Sequence, residues 1–157
     1  MNKNITFHDY KPGEENEVSG LVRMVFDEFV APCYVQEGIS TFIEYIEPAK
    51  IAARIKAGDD FVITAKDGDQ IVGVIDVKQH NHISLLYVDK KYHDGGIAKR
   101  LLQKAIERIR AKNPKIIEIT VNSSLYGVLI YERMGFRLLS PEQEKNGIKY
   151  FPMSMRI

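Results

Sequence analysis

The stretch Leu85–Leu102, LLYVDKKYHDGGIAKRLL, leaves its chain little choice of fold. An apolar run of strand character meets the pair Gly95-Gly96 and passes at once into a cationic, amphipathic helical repeat, so a strand and a helix must pack across one tight turn. Such a turn holds the free N–H groups of the helix's first residues, and the positive end of its dipole, where a phosphate can dock. Gly95 and Gly96 let backbone and ligand come close.

Two common phosphate motifs do not fit. A P-loop requires glycine, four residues, then Gly-Lys-Ser/Thr, and Gly95-Gly96-Ile97-Ala98-Lys99-Arg100 has neither that spacing nor the hydroxyl for magnesium. A dinucleotide fingerprint needs a third, helical glycine and an acid at the end of the next parallel strand, and neither occurs. Twenty-two basic and 21 acidic side chains leave a net charge of +1, so any phosphate binding is local. With no aromatic-basic patch either, nucleic acid is not an expected partner. Cys33 is the only cysteine, which excludes an internal disulfide and a cysteine-rich zinc site and fits a reducing cytoplasm. No apolar run approaches the ~18 residues of a membrane span, and the N-terminus lacks the apolar core of a signal peptide. A cytoplasmic protein with no membrane partner is expected.

Periodicity orders the rest. Ile5 and Phe7 alternate with polar residues as a short strand, and the acidic stretch Glu14 to Glu17 opens a helix that ends before Pro32. Residues 39–57 read as a second helical region that Pro48 either kinks or restarts. Residues 61–65 and 71–78 read as a hairpin around Asp67-Gly68, followed by a strand over 82–88. The helix after the glycine turn stops at Asn113-Pro114, and a strand over 116–121 follows. Residues 125–134 predict a short helix, apolar nearly all round and hence mostly buried, capped by Gly135. Residues 136–139 and 148–157 read as strands, the latter bulged or at a sheet edge because of Pro152. One domain over residues 1–157, a mixed sheet flanked by helices, is the expectation.

The turn His93-Asp94-Gly95-Gly96-Ile97-Ala98, followed some thirty residues later by Tyr131-Glu132-Arg133-Met134-Gly135-Phe136, resembles the two signatures of the GNAT superfamily of acyl-CoA-dependent N-acyltransferases. Gly96 and Ala98 match the turn that binds the CoA pyrophosphate in that family; Tyr131, Gly135 and Phe136 match the helix end that carries the general acid. His93 stands where the family usually has arginine or glutamine, and Asp94 adds a carboxylate. The resemblance implies an α/β fold with a twisted, mostly antiparallel central sheet, and an acetyl-CoA cosubstrate with no metal. It assigns the turn residues His93, Asp94, Gly95, Gly96, Ile97, Ala98 and Lys99 to the cofactor. It further implies that the strand before the turn opens at a bulge, with the Leu86 N–H facing the thioester carbonyl and Val88 pairing with the pantetheine amides. Ser124 and Tyr126 fall where family members contact CoA, although Ser124 reads equally well as a helix N-cap.

The implied reaction is transfer of an acetyl group to a primary amine of a small molecule, amino acid or peptide by direct attack in a ternary complex. It needs a neutral amine, a stabilised oxyanion and a proton for the departing thiolate. Tyr131 is placed to donate that proton, since a phenol of pKa near 10 can protonate a thiolate whose conjugate acid lies near 8.5. The base is left between Asp76, a carboxylate interrupting the apolar row of Val72 and Val74, and His82. His80 and His82 have no further ligand at metal spacing. Glu28, Tyr34 and Glu37 are candidates for an acceptor pocket that attracts a cation. A catalytically weak CoA or acyl-CoA sensor of the same fold is the alternative function, and the assembly is left open between monomer and homodimer.

Overall fold

The computed structural model describes residues 4–157. Eight strands, β1 (Ile5–Asp9), β2 (Asp60–Asp67), β3 (Gln70–Lys78), β4 (His82–Val88), β5 (Glu118–Ser123), β6 (Arg137–Leu138), β7 (Gln143–Lys145) and β8 (Ile148–Arg156), form one sheet. Its order is β1-β2-β3-β4-β5-β8-β6, with β7 also on β8; every pairing is antiparallel except β4 with β5. The helices are α1 (Glu15–Phe29), α2 (Gln36–Tyr45), α3 (Pro48–Lys56), α4 (Ile97–Lys112) and α5 (Val128–Arg133). Two cores result. One packs Ile97, Leu101 and Ala105 of α4 on Val72, Ile75, Val77 and Ile83; the other packs Val18, Val22 and Val25 of α1 with Ile46 and Ile51 on Val62, Val74 and Leu85. A helix on each face of a sheet removes both apolar faces from water.

Local chemistry sets the boundaries. Pro48 restarts the helical region: it is the first residue of α3, where its missing N–H would have had no partner. The β2–β3 hairpin closes through Gly68-Asp69, with Gly68 at φ 63°. Its ladder bulges where Lys66 pairs with Ile71 and Ala65 with Gly73, so that Val72 and Gly73 share the α4 face. Asp76 therefore shares its face with Val74 and not with Val72, correcting the strict alternation read from the sequence.

Three other expectations change. Helix α5 is only one and a half turns long, and Leu125, Leu129 and Ile130 beside and within it are exposed; Tyr131 is its one buried residue. The apolar run is divided: Leu129 and Ile130 line a cleft, while Val128, Tyr131 and Met134 pack on the α4 core. Strand β7 has no periodic signal in its three polar residues and forms because the turn at Asn146-Gly147 folds it onto β8. Pro152 lies inside the sheet, unbulged and opposite Asn122. Its carbonyl accepts from Leu139 N at 2.9 Å, so its absent N–H faces the place where the chain leaves β6, and the β5 ladder loses no bond.

Candidate active site

Strands β4 and β5 are in register only at His82 with Thr120 and Ile83 with Val121. Beyond that point they diverge. A bulge at the same place drives the split: Asp76 pairs with Leu85 but Val77 with Ile83, leaving Ser84 as the extra residue of β4. Ser84 hydrogen-bonds Tyr45 on the α1–α2 side, where Leu85 is also buried, so both point to one face. Asp89 N donates to Val72 O at 2.8 Å, and counting back by alternation turns the N–H groups of Leu86 and Val88 away from β3, into the split.

The split forms a cleft of about 1060 Å³ along the end of the sheet. At one end lies the glycine turn. A single 3-10 stretch, Lys90–Gly95, is started by Asp89, whose carboxylate accepts from Lys91 N at 3.0 Å. Gly96 then takes φ 73°, and α4 begins with no side-chain cap. Arg100 N is the first to reach a helical acceptor, Gly96 O at 3.1 Å, so the N–H groups of Ile97, Ala98 and Lys99 lack intrahelical partners. Side-chain space around Gly95 and Gly96 is open. These are the properties of an anion cradle, and they fit a phosphate-bearing ligand. Only Gly96 needs its glycine for conformation, since Gly95 has no positive φ.

His93 turns back on the strand. Its Nε2–H donates to Val88 O at 2.8 Å, and its ring lies 5.3 Å from that of Phe29, on which Tyr126 also stacks at 5.0 Å. Phe29, at the end of α1, thus bridges the glycine turn and the start of the α5 segment. Nothing in its apolar helical spacing distinguished it from a core residue. Ser124 Oγ accepts from Gly127 N at 3.1 Å, a capping bond, while still lining the cleft. Asp94 and Lys99 line the same end.

Tyr131 reaches the cleft from α5, with its ring edge-on to Phe136 at 5.2 Å. Burial raises the phenol's pKa above its ordinary value, so it stays protonated. Tyr87 and Tyr34 also line the cleft; burial raises both, Tyr34 to about 12.

At the other end, the two candidate bases are separated. His82 lines the cleft, with Nδ1 2.7 Å from Thr120 Oγ1. Burial, assisted by Lys78, lowers its pKa, so the ring is neutral at neutral pH. Asp76 is 1% exposed and does not line the cleft. Burial, then Asp60, its diagonal neighbour across β2 and β3, raises its pKa far above the carboxylate range. Neither Asp76 oxygen has a well-formed hydrogen bond, so the two carboxyls act on each other through proximity. Asp60 is held by Arg54 at 3.5 Å, and the Arg54 guanidinium stacks 3.8 Å above the Tyr45 ring.

Of the acceptor candidates, only Tyr34 lines the cleft. Glu28 is exposed and paired with Lys90 at 2.8 Å, and Glu37 lies against the Gly147 turn. The walls come instead from Thr41, Phe42 and Tyr45 of α2 and from the β7–β8 hairpin, residues whose spacing carried no chemical signature.

A mixed sheet split between its one parallel pair, beside an uncapped helix start, makes a cleft suited to a phosphate-bearing ligand. The chain belongs to the GNAT acetyltransferases: the family described as "Acetyltransferase (GNAT) domain" matches residues 30–157. The chain is similar in structure to a GCN5-related N-acetyltransferase of Rhodopseudomonas palustris, with TM-score 0.84 and 18% identity over 100% of this chain and 99% of that one. The PaiA N-acetyltransferase of Thermoplasma acidophilum, solved with coenzyme A, gives TM-score 0.81 and 20% identity over the whole of both chains. In sequence, 74 residues are 34% identical to YxbD of Bacillus subtilis, an uncharacterised protein, covering 46% of each chain. No helix among the described residues is long and apolar enough to cross a membrane, and no cluster of metal-ligating side chains occurs among them.

Proposed function

We propose that this protein transfers an acetyl group from acetyl-CoA to a primary amine. The reading rests on one observation: the Leu86 and Val88 N–H groups, the Gly96 turn and Tyr131 share a single cleft opened by the β4–β5 split. The N–H groups of Ile97, Ala98 and Lys99 would hold the pyrophosphate, and Val88 the pantetheine arm. His93 already occupies the Val88 carbonyl, which leaves the Val88 N–H as the free member of that pair. Acetyl-CoA, when bound, supplies an activated acyl group.

The protein's own groups then have distinct tasks. The Leu86 N–H polarises the acyl carbonyl, a preorganised donor of the oxyanion-hole kind. His82, neutral and facing the cleft but four residues of strand from Leu86, receives the proton of the incoming ammonium through water in the cleft, which Asp76, already protonated and buried, cannot do. Tyr131 keeps its proton at neutral pH and gives it to the leaving thiolate. Attack within one ternary complex suits this cleft, since Cys33 is exposed outside it and the Ser84 and Ser123 hydroxyls that line it are engaged with Tyr45 and the Ser124 carbonyl.

Calorimetry with acetyl-CoA and CoA, followed by thiol release across a panel of amines, tests this. Saturable binding with amine-dependent thiol release is expected. Absence of binding by either CoA species would overturn the reading. Binding without turnover on the panel would favour an acyl-CoA sensor, which the His93 bond to Val88 and the Asp94 carboxylate at the turn also suit.

A further inference from the structure

The acceptor end of the cleft has a marked charge pattern. It is bounded by Thr41, Phe42 and Tyr45 of α2, by Lys78, His82 and Ser84 where β3 meets β4, and by the β7–β8 hairpin with Lys145 and Tyr150. The charged side chains lining this end, Lys78 and Lys145, are both cationic. Neither makes an ion pair with any described residue. Of the acids on the surrounding elements, Glu44 is paired with Lys50, Asp60 with Arg54, Glu37 lies against Gly147, and Glu144, next to Lys145 on β7, is exposed and does not line the cleft. Asp76, beneath Tyr45, is held in its neutral form. A polycationic amine would meet like charge here with no carboxylate to receive it.

Lys78 is the cross-strand partner of His82, so its ammonium and the imidazole share one edge of the cleft. It is half-buried, and its Nζ lies 5.7 Å over the Tyr45 ring. An unpaired lysine in such a place costs free energy that a bound anion would offset. Four residues of strand, less than ~13 Å because of the Ser84 bulge, separate the backbones of His82 and Leu86, and the Lys78 stem spans part of that gap.

We propose, building on the acetyl-transfer reading, that the acceptor is a primary amine carrying an anionic group several bonds from its nitrogen, and that Lys78 and Lys145 select it. The anion sits by the lysines while the amine reaches the Leu86 end. Carboxylate and phosphate share the required chemistry, and the probes separate them.

The test compares butylamine, 1,4-diaminobutane, 4-aminobutyrate and 3-aminopropyl phosphate as acceptors in thiol release, and the binding of the same four to the CoA-loaded protein by calorimetry. At least one anionic amine should exceed butylamine and the diamine by ~10-fold or more in kcat/KM, the scale of one charge-assisted contact. Lys78→Met and the exposed Lys145→Met should raise KM for the anionic amine with little change in kcat, and Lys145→Met, which has no part in setting the His82 pKa, should leave butylamine unaffected; either variant suffices for the KM effect if the other fails to fold. Lys78→Glu should move the preference toward the diamine. Tighter binding of anionic amines without turnover would retain the acceptor class and remove acetyl transfer. Equal or greater preference for the diamine or butylamine in both assays, or no binding and no turnover with any of the four, would overturn the proposal.

Discussion

At the scale of residues, the proposed chemistry falls to two side chains of the cleft, Tyr131 and His82, while Asp76 is buried outside it. Tyr131→Phe removes one hydroxyl and keeps the ring against Phe136, so kcat should fall by ~10²-fold or more with CoA affinity intact; an unchanged turnover rate would exclude it as the acid. His82 and Asp76 are told apart by pH. Because the His82 pKa is lowered, kcat/KM should fall only on the acid side, below the usual 6.5, and His82→Gln should abolish that limb and cost ~10²-fold near neutrality. A profile that His82→Gln leaves in place would remove it from the mechanism. Asp76 acts on stability instead. Its folded pKa lies above its unfolded value near 3.8, so the folded state holds a proton that the unfolded state releases, and stability declines as pH rises above ~4 toward the folded pKa. Asp76→Asn carries no such proton, so its melting temperature should gain on the natural protein between pH 5 and 8. A constant difference across that range would mean that Asp76 is charged in the fold.

At the scale of elements, close approach of backbone to backbone fixes the acceptor end. Gly38 of α2 lies against the Asn146-Gly147 turn, where a Cβ would collide with the Gly147 carbonyl, and Thr41 Oγ1 donates to Asn146 O at 3.0 Å. Gly38→Ala should therefore cost ~1–3 kcal/mol, as overpacking does, and loosen the hairpin from α2. Denaturant melts would read the first effect, and a KM rise for the amine without one for acetyl-CoA the second; a variant as stable as the parent would contradict the contact. This docking joins residues about a hundred apart and leaves no periodic trace, which is why the acceptor wall was illegible in the sequence. The strands and helices with strong period were legible: β4 and the hairpin at Asp67-Gly68 stand where alternation and the turn pair put them, whereas the left-handed backbone of Gly96 is seen only in the structure. Helix α5 misled because an apolar stretch lining a cleft has the same composition as one buried in a core. The face of Asp76 misled because a bulge at Val72 is invisible to a period-two count.

For the whole molecule, the sheet is two antiparallel plates hinged at one short parallel contact, with a separate core under each face. The Phe29 bridge and the docked hairpin span the opening on either side, so the proposed CoA end and acceptor end are built from different parts of the chain. An ordinary strand interior is the slowest part of a protein to exchange its amide protons with solvent, because release requires the ladder to open. The split places an exception in the middle of this sheet. The amides of Leu86 and Val88 have no strand beside them, whereas those of Tyr87 and Asp89 face β3. Deuterium uptake along β4 should therefore alternate fast and slow residue by residue. Addition of CoA should slow Val88 and leave Tyr87 unmoved. Uniform protection along residues 85–89 before any ligand is added would mean that the gap is closed in solution.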